Sequence, residues 1–213
     1  MRVISLIVAS VFSSAYGLSV TEKANPIRYV GDDTCVMPTK IHSFPSSHLE
    51  GTWYVYQHQP DFEEGLFTLG CTCTRSKLSA PKTAGDLFEI SNICNYFTTK
   101  GPVVNTLGQI KQFNESMASQ GTFKFVLNGQ AEHYQVLDIT NDGKYMLASV
   151  CQNNLPTVAL RSFCVYFMSR DPPNGKNLPK SILDRFEGVA ADLGLLNHRK
   201  MRLDYKGTET CAY

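Results

Sequence analysis

The chain has no cationic block: 20 Lys and Arg are interspersed with 19 Asp and Glu, for a formal net charge of +1. That leaves no electrostatic footprint for nucleic acid or for an acidic membrane. Gly-x-Ser-x-Gly, His-Glu-x-x-His and phosphate-loop patterns are absent, which removes the sequence signals of serine hydrolases, zinc proteases and P-loop nucleotide enzymes. C-x-x-C is absent too. Cys71-Thr72-Cys73 holds only one residue between its thiols, and no thiolate and imidazole pair stands at finger spacing, so no metal is expected. Past the N-terminus no run approaches the ~20 apolar residues of a membrane-spanning helix, so no integral membrane segment is expected. No internal repeat is visible.

What is present begins with Arg2, an apolar run from Val3 to Phe12, and small residues at Ala15 and Gly17. A positive start, a short apolar stretch and small residues read as a signal peptide over residues 1–17, too short to span a bilayer. The alternative is a buried first helix. Seven cysteines follow, at Cys35, Cys71, Cys73, Cys94, Cys151, Cys164 and Cys211. Behind a secretion signal they imply an extracellular, oxidising location and a disulfide framework with one thiol left over. Asn114-Glu115-Ser116 satisfies the N-glycosylation sequon and marks a surface loop.

Between residues 51 and 170, short alternating or apolar runs recur between turn signals: Thr52 to Gln59, Gly70 to Leu78, Leu87 to Phe97, Val103 to Gln112, Thr122 to Leu127, His133 to Ile139, Tyr145 to Cys151 and Thr157 to Ser169. Ala84-Gly85-Asp86, Lys100-Gly101-Pro102, Asn128-Gly129 and Asn141-Asp142-Gly143 supply the turns. Eight antiparallel strands on short links predict an all-β chain closed into an up-and-down barrel, which removes exposed edges and leaves room for one small ligand. The period then changes to about 3.6 residues. Ile182, Leu183, Phe186, Val189, Ala190 and Leu193 form one stripe, with Pro179 near its start and Gly194 placed to end it. This predicts one helix over about 179–194, packed on the outer wall of the barrel. Its polar face is not basic enough for a membrane surface. The remaining organisation is an N-terminal arm, 18–43, and one domain, 44–213, whose tail from 200 onward forms a short terminal strand.

Gly51-Thr52-Trp53-Tyr54 opens the first strand and Ser169-Arg170-Asp171-Pro172 leaves the eighth. Trp53 is the only Trp. At the start of a strand it can plug the narrow end of a barrel, with Arg170 stacked on its face for about 0.5–2 kcal/mol. Alternation from an inward Trp53 puts Val55 and Gln57 inside and Tyr54, Tyr56 and His58 outside. Phe123, Phe125 and Leu127 share a face opposite Lys124, which argues that the aromatic face is interior. In the eighth strand Cys164, Tyr166 and Met168 oppose Phe163, Val165 and Phe167, and composition does not choose between the faces.

These motifs in this order, with Phe44 to Trp53, Glu64-Gly65-Leu66-Phe67, Glu132-His133-Tyr134, Leu178-Pro179 and the stretch from Arg202 to Cys211, resemble the lipocalin family over nearly the whole mature chain. The likeness is nearest to its retinol-binding and apolipoprotein D branches. One departure is Thr140-Asn141-Asp142-Gly143-Lys144-Tyr145, which has one residue more than the family's second motif.

The resemblance implies a secreted carrier, monomeric or weakly dimeric, that holds a retinoid, fatty acid, sterol or bilin and needs no cofactor. A protein receptor is a further partner it allows. It places Cys164 and Tyr166 inside and Leu66, Phe67 and His133 near the mouth, with Gln57, Tyr166 and His133 meeting the polar end of the ligand. It suggests Cys35–Cys151 and Cys71–Cys211 as disulfides, while Cys73 and Cys94, on consecutive strands, are placed to face each other. Cys164 is then free. Two other readings stand beside the carrier. One is a thiol-dependent isomerase or de-epoxidase using Cys164. The other is an interaction module acting through residues 60–70 and 152–156. Haem ligation by His58 or His133 has no support beyond the residue type.

Overall fold

The computed structural model describes residues 46–59, 71–81, 86–112, 121–127, 130–152, 162–195, 202–203 and 211. The expected leader and arm, Cys35, Leu66, Phe67, Asn114 and the first part of the expected eighth strand lie outside the described residues.

A single 3-10 turn, Ser46–His48, leads into β1(Gly51–Gln59), β2(Cys71–Ser79), β3(Asp86–Tyr96), β4(Val103–Gln112), β5(Thr122–Leu127), β6(Gln130–Ile139), β7(Tyr145–Gln152) and β8(Ser162–Ser169). Each strand pairs antiparallel with the next, and β1 pairs with both β2 and β8, so the sheet closes into the expected eight-stranded barrel. Helix α1(Lys180–Asp192) and a two-residue β9(Arg202–Leu203), paired with the second half of β1, complete the order.

Several strand ends differ from expectation by a residue or more, and three of them are informative. β6 begins at Gln130 rather than His133, because Leu127 pairs directly with Gln130 and leaves only Asn128-Gly129 between the strands, the shortest hairpin link. Gln130, Ala131 and Glu132 carry little strand propensity, which hid them. Asp86, read as turn, starts β3 and forms an ion pair with Lys111 of β4 at 3.1 Å. Phe97, read as strand, has a φ of 67° and lies beyond β3. The turn with the extra residue is well closed. Thr140 N–H donates to the Tyr145 carbonyl at 3.0 Å, and Tyr145 N–H donates to Thr140 Oγ1 at 3.0 Å. Asp142 accepts from Thr140 Oγ1 and from the Lys144 amide, which lowers its carboxyl pKa.

Strand alternation separates two apolar clusters. Trp53, Val55, Leu78, Phe88, Ile90, Ile110, Phe123, Phe125, Tyr134, Val136, Met146 and Met168 pack inside the barrel. Leu137, Leu147, Val165 and Phe167 face outward and pack with Phe186, Ala190 and Leu195 of the helical segment. The predicted stripe is therefore the docking face, and Phe186 meets Phe167 edge-on with ring centroids 5.7 Å apart. The helix ends where Gly194 was placed to end it. Gly194 takes φ +65°, its amide reaches the Ala191 carbonyl, and the Leu195 amide reaches the Ala190 carbonyl, a Schellman closure that requires a left-handed residue.

A charged clamp adds to this docking. Arg185 donates from Nε and Nη2 to the two oxygens of Asp138 on β6 at 2.6 and 2.7 Å. Asp138 is 3% exposed and Arg185 43%. Arg185→Gln leaves that carboxylate buried without its fork. The expected loss is about 2–4 kcal/mol, less than for a fully buried pair because Arg185 is partly in water. Urea unfolding checks it, and a loss below about 0.5 kcal/mol would class the clamp with surface ion pairs.

Candidate functional site: the barrel interior

The interior is closed at the end where β1 starts and β8 finishes. Trp53, fully buried, donates from Nε1 to the Leu49 carbonyl at 2.8 Å. The Arg170 guanidinium carbon lies 3.7 Å from the centre of the indole. Its Nη1 donates to Thr52 O at 3.2 Å and its Nη2 to His48 O at 2.5 Å. The approach requires glycine at 51: φ is +105°, and a Cβ there would stand 2.9 Å from Arg170 Nη1. Burial lowers the Arg170 pKa from its ordinary value, opposed by attraction to Tyr134. The floor is thus a ring and a cation stacked on it, with the cation donating to the Thr52 and His48 carbonyls and the ring to that of Leu49.

Above the floor the walls differ in chemistry. β3, β4 and β5 present Phe88, Ile90, Ile110, Phe123 and Phe125. The opposite wall carries groups capable of hydrogen bonding. Cross-strand partners share a face, so Cys164 lies with Val150 and Tyr134 in one row, and Tyr166 with Ala148 and Val136 in the next. His58 pairs with Tyr166 in register, their ring centroids 6.4 Å apart. Ser76 Oγ and Asn92 Oδ1, 2.7 Å apart, satisfy each other on β2 and β3.

Comparison with solved structures finds the same architecture. Lipocalin 12 from rat epididymis superposes with a TM-score of 0.57 at 15% identity, covering 77% of this chain and 86% of that one. Lobster apocrustacyanin A1 gives 0.54 at 15% identity over 76% and 79%. The siderocalin Ex-FABP gives 0.53 at 12% identity over 78% and 99%. The fold is that of the lipocalins. No family model and no curated protein matches the sequence, so the likeness lies in the fold.

Within this lipocalin barrel, Val55, Phe123, Phe125, Cys164 and Tyr166 face the interior. Two expected site residues do not. The register of β1 against β8 shifts between Val55 and Gln57, and this bulge puts Tyr56 and Gln57 on the outer side together. Gln57 pairs with the outward Phe167, while the next outer residue, Gln59, donates to Leu195 O at 2.9 Å. His58, expected outside, faces in. His133 pairs with Lys124 and Cys151 on the outer wall, because its neighbour Tyr134 pairs with the inward Phe123. The side chain of Leu127 lies outside the described residues.

The disulfides also differ. Cys71 is joined to Cys94 and Cys73 to Cys211, in place of Cys71–Cys211 and Cys73–Cys94. The cause is local: Cys73 sits in a bulge of β2 with φ +57°, which turns its side chain away from Cys94 and buries it completely. Cys151 is disulfide-bonded, and the expected partner Cys35 lies outside the described residues. Cys164 is the free thiol, buried, with Sγ 3.9 Å from the Val165 carbonyl. Among the described residues no cluster of His, Cys, Asp or Glu is arranged to hold a metal, and no helix is long and apolar enough to cross a membrane.

Proposed function

We propose that this protein is a secreted carrier that takes a small hydrophobic molecule into the barrel from the end opposite Trp53 and Arg170. The observation that carries the reading is the interior itself: a floor sealed by Trp53 and Arg170, a largely apolar and aromatic wall on β3 to β5 whose Asn92 is paired with Ser76, and His58, Tyr134 and Tyr166 on the facing wall. Such a site binds by removing apolar ligand surface from water, at about 25 cal/mol per Å², and orients it through a few polar groups. Structures of like fold include an odorant-binding protein and a siderocalin described as having dual ligand specificities. A retinoid is the first candidate, on the resemblance of the motifs to the retinol-binding branch, followed by fatty acids, sterols and bilins. Cys164 is 1% exposed, whereas reactive thiols are partly open to solvent beside positive charge, which favours a carrier over a thiol enzyme. A second reading has one observation behind it: Phe97, Val103 and Val104, exposed at the mouth end, would suit a protein partner there.

Native mass spectrometry of the secreted protein, with an absorption spectrum of its solvent extract, tests the carrier. A discrete mass increment with a chromophore spectrum is expected. A bare protein whose Trp53 fluorescence ignores retinoids, fatty acids and bilins alike would transfer the function to the mouth-end surface.

A further inference from the structure

We propose that the hydroxyl of Tyr134 anchors the ligand, and that it selects molecules carrying a neutral hydrogen-bond acceptor, a carbonyl or hydroxyl oxygen, over carboxylates. The inference rests on the carrier reading and narrows its ligand class.

Tyr134 lies on β6 between the inward Phe123 of β5 and Val150 of β7, 5% exposed and packed within the interior cluster. Its hydroxyl is sealed from solvent and has no hydrogen-bond partner among the described residues. Buried hydroxyls are nearly always paired, because leaving one unmade forfeits its hydration without return. Ser76 and Asn92, also on the inner wall, satisfy each other at 2.7 Å. The orphan therefore marks the place where an acceptor from outside the chain belongs.

Charge decides which acceptor. Burial holds the phenol protonated well above the ordinary tyrosine range, so it presents a donor at any physiological pH. A carboxylate at this depth would also need a cation. Arg170 is near enough to attract the Tyr134 phenol, but its guanidinium lies flat on Trp53 and donates to Thr52 O and His48 O, so a carboxylate would have to draw it from these contacts. Lys111 and Lys124 stand on the outer face, opposite Ile110 and Phe125 in the alternation. His58, facing in beside Tyr166, is the remaining basic side chain of the described interior, and the test includes it. A neutral oxygen on an apolar skeleton fits the donor without demanding a counter-charge.

The test uses the delipidated full chain and displacement of the neutral probe N-phenyl-1-naphthylamine by hexadecan-2-one, hexadecanoic acid and hexadecane. The wild type should prefer the ketone to the acid. Tyr134→Phe should weaken the ketone about five- to tenfold, the worth of one hydrogen bond, and leave hexadecane unchanged. It should also raise the thermal midpoint of the ligand-free protein by about 2–4 °C, because an unpaired hydroxyl is removed. A merely structural tyrosine would not move these two readouts in opposite senses. The proposal is overturned if the acid is preferred, if Tyr134→Phe binds the ketone as the wild type does, or if His58→Gln abolishes the preference while Tyr134→Phe does not. Failure of all three molecules to displace the probe from the wild type would instead sink the carrier reading.

Discussion

Trp53→Ala is expected to cost about 3–5 kcal/mol, the range for a large aromatic removed from a packed interior. Three losses combine there: the indole volume, the Nε1 bond to Leu49 O, and the surface on which Arg170 lies at 3.7 Å. The last loss is the distinctive one. Arg170 would keep its two carbonyl acceptors but face a cavity, leaving a half-buried cation with less to compensate it. Trp53→Phe keeps much of the volume and should cost less. Urea unfolding followed by circular dichroism measures both, since Trp53 is the only Trp and its fluorescence vanishes with it. A cost below about 1 kcal/mol for the alanine variant would mean that the floor closes without its indole.

Removal of the Cys73–Cys211 bridge is expected to be nearly as damaging. The two cysteines are 138 residues apart, and the chain-entropy model assigns about 4–5 kcal/mol to a loop of that size, with measured values of about 2–5. Cys71–Cys94 closes only 23 residues and should matter less. The double variants Cys73→Ser/Cys211→Ser and Cys71→Ser/Cys94→Ser, compared by thermal unfolding without reductant, should fall in that order. The reverse order would show that the bridges act through native-state contacts rather than through the unfolded chain.

The barrel was legible because its signals are local and repeated. Alternation marked the eight strands, the change of period marked α1, and Gly194 marked its end. Lys124, exposed between two buried phenylalanines, fixed the inner face of β5. The site was legible only where alternation ran unbroken. In β1 and β2 a single unmatched residue reverses the phase, so Gln57 and His58 exchange faces and Cys73 turns from Cys94 toward Cys211. Tyr, Thr and Cys at those points carry no mark of a bulge, and one residue is enough to invert everything after it. Tyr134 was within reach. A two-residue link at Asn128-Gly129 sets Leu127 against Gln130 and hence Phe123 against Tyr134, so an inward Phe123 implies an inward Tyr134.

The seam of the barrel also has a history in time. Thr52 and Arg170, which meet at the floor, are 118 residues apart, so at about 5–20 residues per second of synthesis the first waits roughly 6–24 s for the second. The meander from β2 to β8 is built from neighbours and can zip as it emerges, whereas the second half of β1 pairs only with β8 and β9. Throughout that interval the nascent chain carries an unpaired strand edge, the template on which chains aggregate. On the proposed secretory route, Cys71, Cys73 and Cys94 emerge into an oxidising compartment and can pair before Cys211 exists. The bulge that turns Cys73 away from Cys94 then acts as a reservation, holding one thiol for a partner that is translated last.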